Sequence, residues 1–374
     1  MKIMFVIPYF GFSGVISDTL AGHLSKRGND VVVVGFSRKA LGSWFSEEAR
    51  CLEEKNIHCY SAPGFSISIP HFVTEFPLLL SFGQLTKEID PDIIHINCLP
   101  FLTSFQAAKI ASKTHRKGIL QVHGVIGERG FFFNMLQEVY NSVLGQSAFH
   151  SANKVVCLTV GDAQKVLRYG CPPQKIRIIP NGVNVNEFRP SGVEEAGTLL
   201  WCGRFVQQKG LEYLIEAMKL IKKEGGPPVK LTMTGEGPLI SKISKLIMEN
   251  DLRRNVHFLG RVARSEIPKL MNKSSIYVLP SLNEGMPYTL LEAMASGKPV
   301  IGSDISGIKD VVTHGKNGLL VPPRNARALA DAIMTLLKDD NLRKIMGQKA
   351  RELMVKKYSW DEIATRMERL YREQ

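Results

Sequence analysis

The chain has 374 residues, 44% of them apolar and 22% charged, a composition that excludes a disordered or fibrous chain and sets two globular domains as the expectation. The net charge of +13 is diffuse, with 19 basic and 14 acidic residues in 1–190 and the larger share of the excess after it. That balance is compatible with nucleic acid, an anionic membrane face or a polyanionic small molecule, and equally with a solvated basic surface.

Short apolar runs alternate with helical patterns along the chain. Ile3–Ile7 reads as a strand and Ser17–Arg27 as a helix, with Leu20, Ala21 and Leu24 on one face and Gly28 as its stop. Val31–Gly35, Ile93–Ile96, Ile119–Val122 and Lys154–Leu158 read as further strands. The polar, turn-rich stretch 190–198 reads as a linker, after which the pattern restarts. Leu199–Cys202, Val229–Thr234, Val256–Phe258, Ile276–Leu279, Val300–Ile301 and Gly318–Val321 are expected strands, with helices at Leu211–Lys223 and Leu239–Glu249. A last helix at Trp360–Tyr371 is expected to pack back on the first domain. This β-α-β alternation predicts two α/β, Rossmann-like, doubly wound domains facing across a cleft. The expected division is 1–190, 191–355 and a C-terminal helix in 356–374.

The N-terminal run MKIMFVIPYF is too short for a spanning helix and lacks the layout of a cleavable signal. No uncharged run of mostly apolar character reaches the roughly 18 residues that a span needs. The six cysteines include no C-x-x-C pair and read as buried or incidental thiols of a reducing compartment. No metal-ligand cluster is visible.

The most informative stretch is Ile276–Ile301, read as strand, loop, short helix, strand. It carries Glu284 in the loop and Glu292 in the helix, with Gly285, Met286, Pro287, Tyr288, Thr289 and Leu290 between them. A loop opening a helix presents free backbone N–H groups to an anion. Ionised carboxylates there only accept hydrogen bonds, which suits a ligand bearing both phosphate and hydroxyls. Glu292 sits in the apolar run LLEAMA, so it needs a ligand or a partner such as Lys298. In WCGRFVQQKG, Arg204 and Lys209 lie between a strand and a helix start, where local stability favours anions; they suit a diphosphate. The first loop, Pro8–Gly14, offers Gly11 and Gly14 for close backbone approach to phosphate, although a plain turn explains them as well. His95 and His123 end two first-domain strands; His95 reads as structural, and His123 is a candidate to point into the cleft. The apolar stretches 63–82 and 129–136, with Phe131–Phe133, read either as core helix or, with Lys113, Arg116 and Lys117, as a lipid-facing surface.

These residues resemble the retaining glycosyltransferases of family 4, which have the GT-B fold. The likeness runs through PDIIHIN, QVHG, IIPNGVN, GRFVQQKGLEYLIEA, TGEGP, NEGMPYTLLEAMASGKPVI and GLLVPP. It implies transfer of a hexose from a UDP- or GDP-linked donor to an acceptor hydroxyl, on a glycan or lipid-linked acceptor of cell-surface polysaccharide, lipopolysaccharide or glycolipid assembly. In the family's pattern the first Glu of E-x7-E, here Glu284, meets the donor sugar. The second, here Glu292, meets the ribose hydroxyls. Arg204 and Lys209 take the diphosphate, His123 approaches the sugar, and Gly260, Arg261 and Val262 lie against the base. The usual Gly-Gly pair of the first loop is here Gly11-Phe12, and the usual N-G-V-D ends in Asn184. The resemblance further implies a metal-independent enzyme without a cofactor, the nucleotide-sugar being a co-substrate. It places the enzyme in the cytoplasm, peripheral on the inner membrane face, with no nucleic-acid partner. Two other readings are a nucleotide-sugar epimerase on the same fold and a non-enzymatic nucleotide-binding protein. A dinucleotide oxidoreductase is disfavoured by the absence of G-x-G-x-x-G and of an acidic residue closing the second strand.

Overall fold

The run KIMFVIPY forms an interior strand of a parallel sheet, and Ile3 to Ile7 are at most 1% exposed. The structure, a computed structural model, describes residues 1–9, 14–36, 57–62, 64–67, 76–80, 82–99, 101–123, 135 and 138–373. The chain divides into two units, Met1–Pro180 with Trp360–Gln374, and Asn181–Ser359.

In the first unit, β1 (Lys2–Tyr9), β2 (Asp30–Phe36), β3 (His58–Ala62), β4 (Gly64–Ile67), β5 (Phe76–Leu79), β6 (Ile93–Asn97), β7 (Lys117–Val122), β8 (Lys154–Cys157) and β9 (Ile176–Ile178) follow in chain order. Seven of them form one sheet in the order β3-β2-β1-β6-β7-β8-β9, parallel throughout. The order reverses between β1 and β6, the switch point beyond which doubly wound sheets hold ligands. The first helix spans Gly14–Lys26, three residues earlier than the apolar pattern suggests, with Leu20, Ala21 and Leu24 buried as expected. In the apolar stretch 63–82, β4 and β5 pair antiparallel, which differs from the core-helix reading; the lipid-facing reading of the stretch is an expectation that this pairing does not address. Phe131–Phe133 lie outside the described residues. Of the three basic residues grouped with them, Arg116 pairs with Asp90, and Lys117 Nζ donates to the carbonyls of Tyr371 (3.0 Å) and Glu373.

The helix Trp360–Arg372 belongs to this unit. It buries Ile363, Ala364, Met367 and Leu370, and Glu368 accepts from Arg27 Nε (3.0 Å) and Asn29 Nδ2 (2.7 Å). Tyr371 Oη meets His95 Nδ1 at 2.7 Å.

In the second unit, β10 (Thr198–Cys202), β11 (Lys230–Thr234), β12 (Val256–Phe258), β13 (Ile276–Leu279), β14 (Val300–Ser303) and β15 (Gly318–Val321) form a parallel sheet ordered β12-β11-β10-β13-β14-β15. Its switch point lies between β10 and β13. Trp201, Phe205, Leu214, Met233 and Ile333 fill the core beneath helices Leu211–Lys223 and Ala326–Lys338. Each such side chain contributes on the order of 1.5–3 kcal/mol by leaving water. Both units are thus Rossmann-like, as the alternation of patterns predicts.

Candidate functional site

The loops that leave β10, β11, β12 and β13 at their carboxyl ends gather in the second unit. β10 ends at Cys202 and delivers Gly203 and Arg204; β11 ends at Thr234 and delivers Gly235, Glu236 and Gly237. The two loops zip together by backbone hydrogen bonds, Gly203 N to Thr234 O (3.0 Å) and Phe205 N to Glu236 O (2.8 Å). Gly235 has φ +130°, and a Cβ there would lie 1.9 Å from the Gly203 carbonyl oxygen, so only glycine permits this approach. Gly235 N in turn donates to Gly260 O at 2.8 Å, which anchors the loop carrying Arg261 and Val262. A cavity of about 540 Å³ opens between these loops, lined by Arg204, Gly235, Arg261, Val262, Arg264 and Glu292 among others.

Glu292 projects from the helix Tyr288–Ala295 into this cavity and is 2% exposed. Its Oε1 accepts from Arg264 Nη1 at 2.6 Å, and its Oε2 is buried with no hydrogen-bond partner. Burial pushes its carboxyl above the usual carboxylate range, opposed by the Arg264 guanidinium. Lys298 does not pair with it; Lys298 Nζ instead meets Glu194 at 3.1 Å and the Asn272 carbonyl at 2.9 Å. An unpaired buried carboxylate oxygen beside a cavity is a ready acceptor for a ligand hydroxyl.

Glu284 is also buried, and its Oε1 accepts from Lys209 Nζ and from Ser281 Oγ, both at 2.6 Å. The structure therefore brings Lys209 and Glu284 together, while Arg204 is exposed and has no ion-pair partner among the described residues. Gly285, Met286 and Pro287 complete the loop; Met286 is buried and its carbonyl accepts from Asn181 Nδ2 at 3.1 Å. Pro287 caps the helix, so the backbone N–H groups of Tyr288 and Thr289 stand at its opening turn, and Thr289 lines the cavity. Leu290 is buried in the core, with its N–H on the Pro287 carbonyl at 3.2 Å.

In the first unit, His123 directly follows β7 and is half-buried. Asn97 Nδ2 donates to the Val6 carbonyl (3.3 Å), which turns Asn97 Oδ1 toward His123 Nε2 (3.2 Å). His123 therefore carries its proton on Nε2, and Nδ1 has no hydrogen-bond partner among the described residues. Burial holds its pKa down at about 4, so the ring is neutral. His95 is fully buried, with Nε2 on Gln121 Oε1 (2.8 Å) and Nδ1 accepting from Tyr371 Oη (2.7 Å); both nitrogens are occupied structurally. Gly14 opens the first helix, and Gly11 lies outside the described residues.

Sequence reasoning did not single out Arg264 or Ser281. Arg264 opens the short 3-10 turn Arg264–Glu266 with no motif of its own, and its partner is 28 positions away. Ser281 could have been found, since it sits three residues before Glu284 on the same turn. Among the described residues no group of three or more metal-ligating side chains converges.

Residues 14–187 match the model of Glycosyltransferase Family 4, and residues 185–353 that of Glycosyl transferases group 1. An uncharacterised glycosyltransferase of Methanocaldococcus jannaschii is 28% identical over 329 residues, 82% of each chain. The amylovoran biosynthesis glycosyltransferase of Erwinia amylovora is 33% identical over 275 residues, 68% of this chain and 66% of its own. The crystal structure of Anabaena HepE in complex with UDP is similar at a TM-score of 0.79 and 20% identity, covering 99% of both chains. With its two Rossmann-like units and these matches along nearly its whole length, the chain belongs to the family 4 glycosyltransferases of GT-B fold.

Proposed function

We propose that this glycosyltransferase moves a hexose from a UDP- or GDP-linked donor to an acceptor hydroxyl with retained configuration, in the assembly of cell-surface polysaccharide, lipopolysaccharide or glycolipid. The observation that carries the reading is the cavity wall, lined by both the Arg204 cation and the Glu292 carboxylate, one oxygen of which has no hydrogen-bond partner among the described residues. A ligand that fits has phosphate for the first and hydroxyls for the second. The solved structures of Anabaena HepE with UDP and with UDP-glucose, and the amylovoran role of the Erwinia relative, support it.

In this reading Glu292 takes a ribose hydroxyl and Gly260–Val262 flank the base. Arg204, Lys209 and the N–H groups of Tyr288 and Thr289 stabilise the charge that grows on the diphosphate as the glycosidic bond breaks. Lys209 and Glu284 already neutralise each other at 2.6 Å. The donor's phosphate competes for Lys209, and its sugar hydroxyls compete for Glu284. The bond from the anomeric carbon to the phosphate oxygen breaks, that from the anomeric carbon to the acceptor oxygen forms on the same face, and the acceptor's proton passes to the leaving phosphate. His123, a neutral imidazole, is assigned the donor sugar. These cations supply the positive charge in place of a metal ion. We place the reaction in the cytoplasm, peripherally on the inner membrane face; no helix among the described residues is long and apolar enough to cross a membrane.

A thermal-shift panel of UDP, GDP, ADP and their sugars tests the donor, since a ligand at 100 times its Kd stabilises by about 2.7 kcal/mol. Product analysis with the donor that binds then tests the reaction. A new glycoside of the donor's anomeric configuration supports the reading. Absence of nucleotide binding, or a rearranged sugar nucleotide formed without acceptor, overturns it.

A further inference from the structure

The turn Gln207–Lys209 and the loop that carries Glu284 are joined by three bonds in succession. Leu282 N donates to the Gln208 carbonyl (2.8 Å), Gln208 Nε2 donates to the Asn283 carbonyl (2.7 Å), and Lys209 Nζ donates to Glu284 Oε1 (2.6 Å). Gly210, with φ +60°, lets the turn pass close to the start of the loop, since a Cβ there would lie 2.2 Å from the Pro280 carbonyl oxygen. The turn is itself closed by Lys209 N on Val206 O (3.0 Å) and Gly210 N on Gln207 O (3.1 Å), which makes it a fixed support.

Gln208 grips the loop at two points, once through its backbone carbonyl and once through its side-chain amide. A single hydrogen bond leaves a segment free to pivot about it. Two bonds on consecutive residues set both its place and its direction, and the second falls on the residue directly before Glu284. The Lys209–Glu284 bond differs in kind. In the reading above a diphosphate draws Lys209 and sugar hydroxyls draw Glu284, so donor binding exchanges that bond. The bonds of Gln208 involve no ionised group and stay in place.

We propose that Gln208 is a positioning residue, which holds the Glu284 loop by its backbone while Lys209 turns from Glu284 to the diphosphate, so that the sugar meets a preset carboxylate. This inference rests on the donor reading above and deepens it. Glutamine suits the position because its amide donates; a glutamate there would only accept and would face the Asn283 carbonyl. Gln208 is exposed, so packing gives it little weight in stability.

The test compares Gln208→Ala and Gln208→Glu with wild type as full chains. Amide hydrogen exchange over residues 281–287 without ligand should quicken in both variants by about two- to ten-fold, the worth of one neutral hydrogen bond. The melting temperature should stay within about 2 °C of wild type. Titration calorimetry with UDP and UDP-glucose, or with the GDP or ADP pair where UDP does not bind, then reads the link to Glu284. The nucleotide alone should bind both variants within about two-fold of wild type, and the extra affinity that the sugar confers should fall about five-fold. In a Glu284→Gln background, Gln208→Ala should change that extra affinity by less than about two-fold, because a residue that acts through Glu284 then has nothing left to position. Unchanged exchange in the loop overturns the inference. So does an equal loss in both backgrounds, or a loss of about ten-fold for the nucleotide alone, which would make Gln208 a phosphate contact. If no nucleotide binds the wild type, the donor reading itself fails, and the exchange result still decides whether Gln208 holds the loop.

Discussion

Lys209 Nζ lies 2.6 Å from Glu284 Oε1, and both side chains are largely buried. The turn Gln207–Lys209 presents the lysine, and Ser281 Oγ holds the same carboxylate oxygen. Removing one member of such a pair leaves an uncompensated buried charge, a loss of about 3–5 kcal/mol. Lys209→Met should therefore lower both the melting temperature and the transfer rate. Arg204→Ala, at an exposed position, should change stability by no more than about 0.5 kcal/mol yet reduce transfer by orders of magnitude. Near-normal turnover of Arg204→Ala would reject its diphosphate role.

Gly307 stands against the Glu284 loop with φ +87°, and a Cβ there would lie 2.0 Å from the Gly285 carbonyl oxygen and 2.8 Å from that of Glu284. Gly307→Ala should displace the loop that carries Glu284, costing on the order of 1–3 kcal/mol. Donor turnover should fall further than the melting temperature alone accounts for. A variant with wild-type kinetics would show that the loop yields without consequence.

His95 is fully buried, and burial holds its pKa down at about 3, from an unfolded value of 6.5. The unfolded chain therefore binds a proton that the folded one does not, at pH values between these two. Stability from this group is complete above pH 6.5 and is lost as pH falls below it, by up to a few kcal/mol. His123, held down at about 4, acts in the same direction. Thermal melts between pH 7.5 and pH 5 should show a falling midpoint, with a shallower slope in His95→Gln. The same slope in both proteins would remove His95 as its source.

Arg204, Lys209 and the helix-opening N–H groups are assigned the charge that a divalent ion supplies in other transferases. Transfer activity should therefore be unchanged by excess EDTA. Activity lost to the chelator and restored by a divalent ion would refute that assignment.

The order of strands and helices was legible wherever the apolar pattern was long and unbroken, as in VVVVGF or from Ile276 to Ile301. The β4–β5 pairing was not: β5, FPLL, has no alternation to separate strand from helix, although Phe65-Ser66-Ile67 in β4 does alternate. Edge strand β9 was also missed: IRI is three residues long, and Ile178 is 47% exposed. Within the site, the sequence alone determined which charged residues sit at strand-to-helix junctions, because strand, glycine and helix start are written locally around Arg204, Lys209, Glu284 and Glu292. Only the tertiary structure decided their partners. Lys298 is six positions from Glu292, and nearness along the chain made it the candidate partner if no ligand bound there, yet it is engaged by Glu194 and Asn272. The guanidinium that meets Glu292 comes from the loop after β12, placed there by sheet order. A side chain's partner depends on which strand ends become neighbours, and the strand order β12-β11-β10-β13 is a property of the folded sheet that no local run of residues encodes.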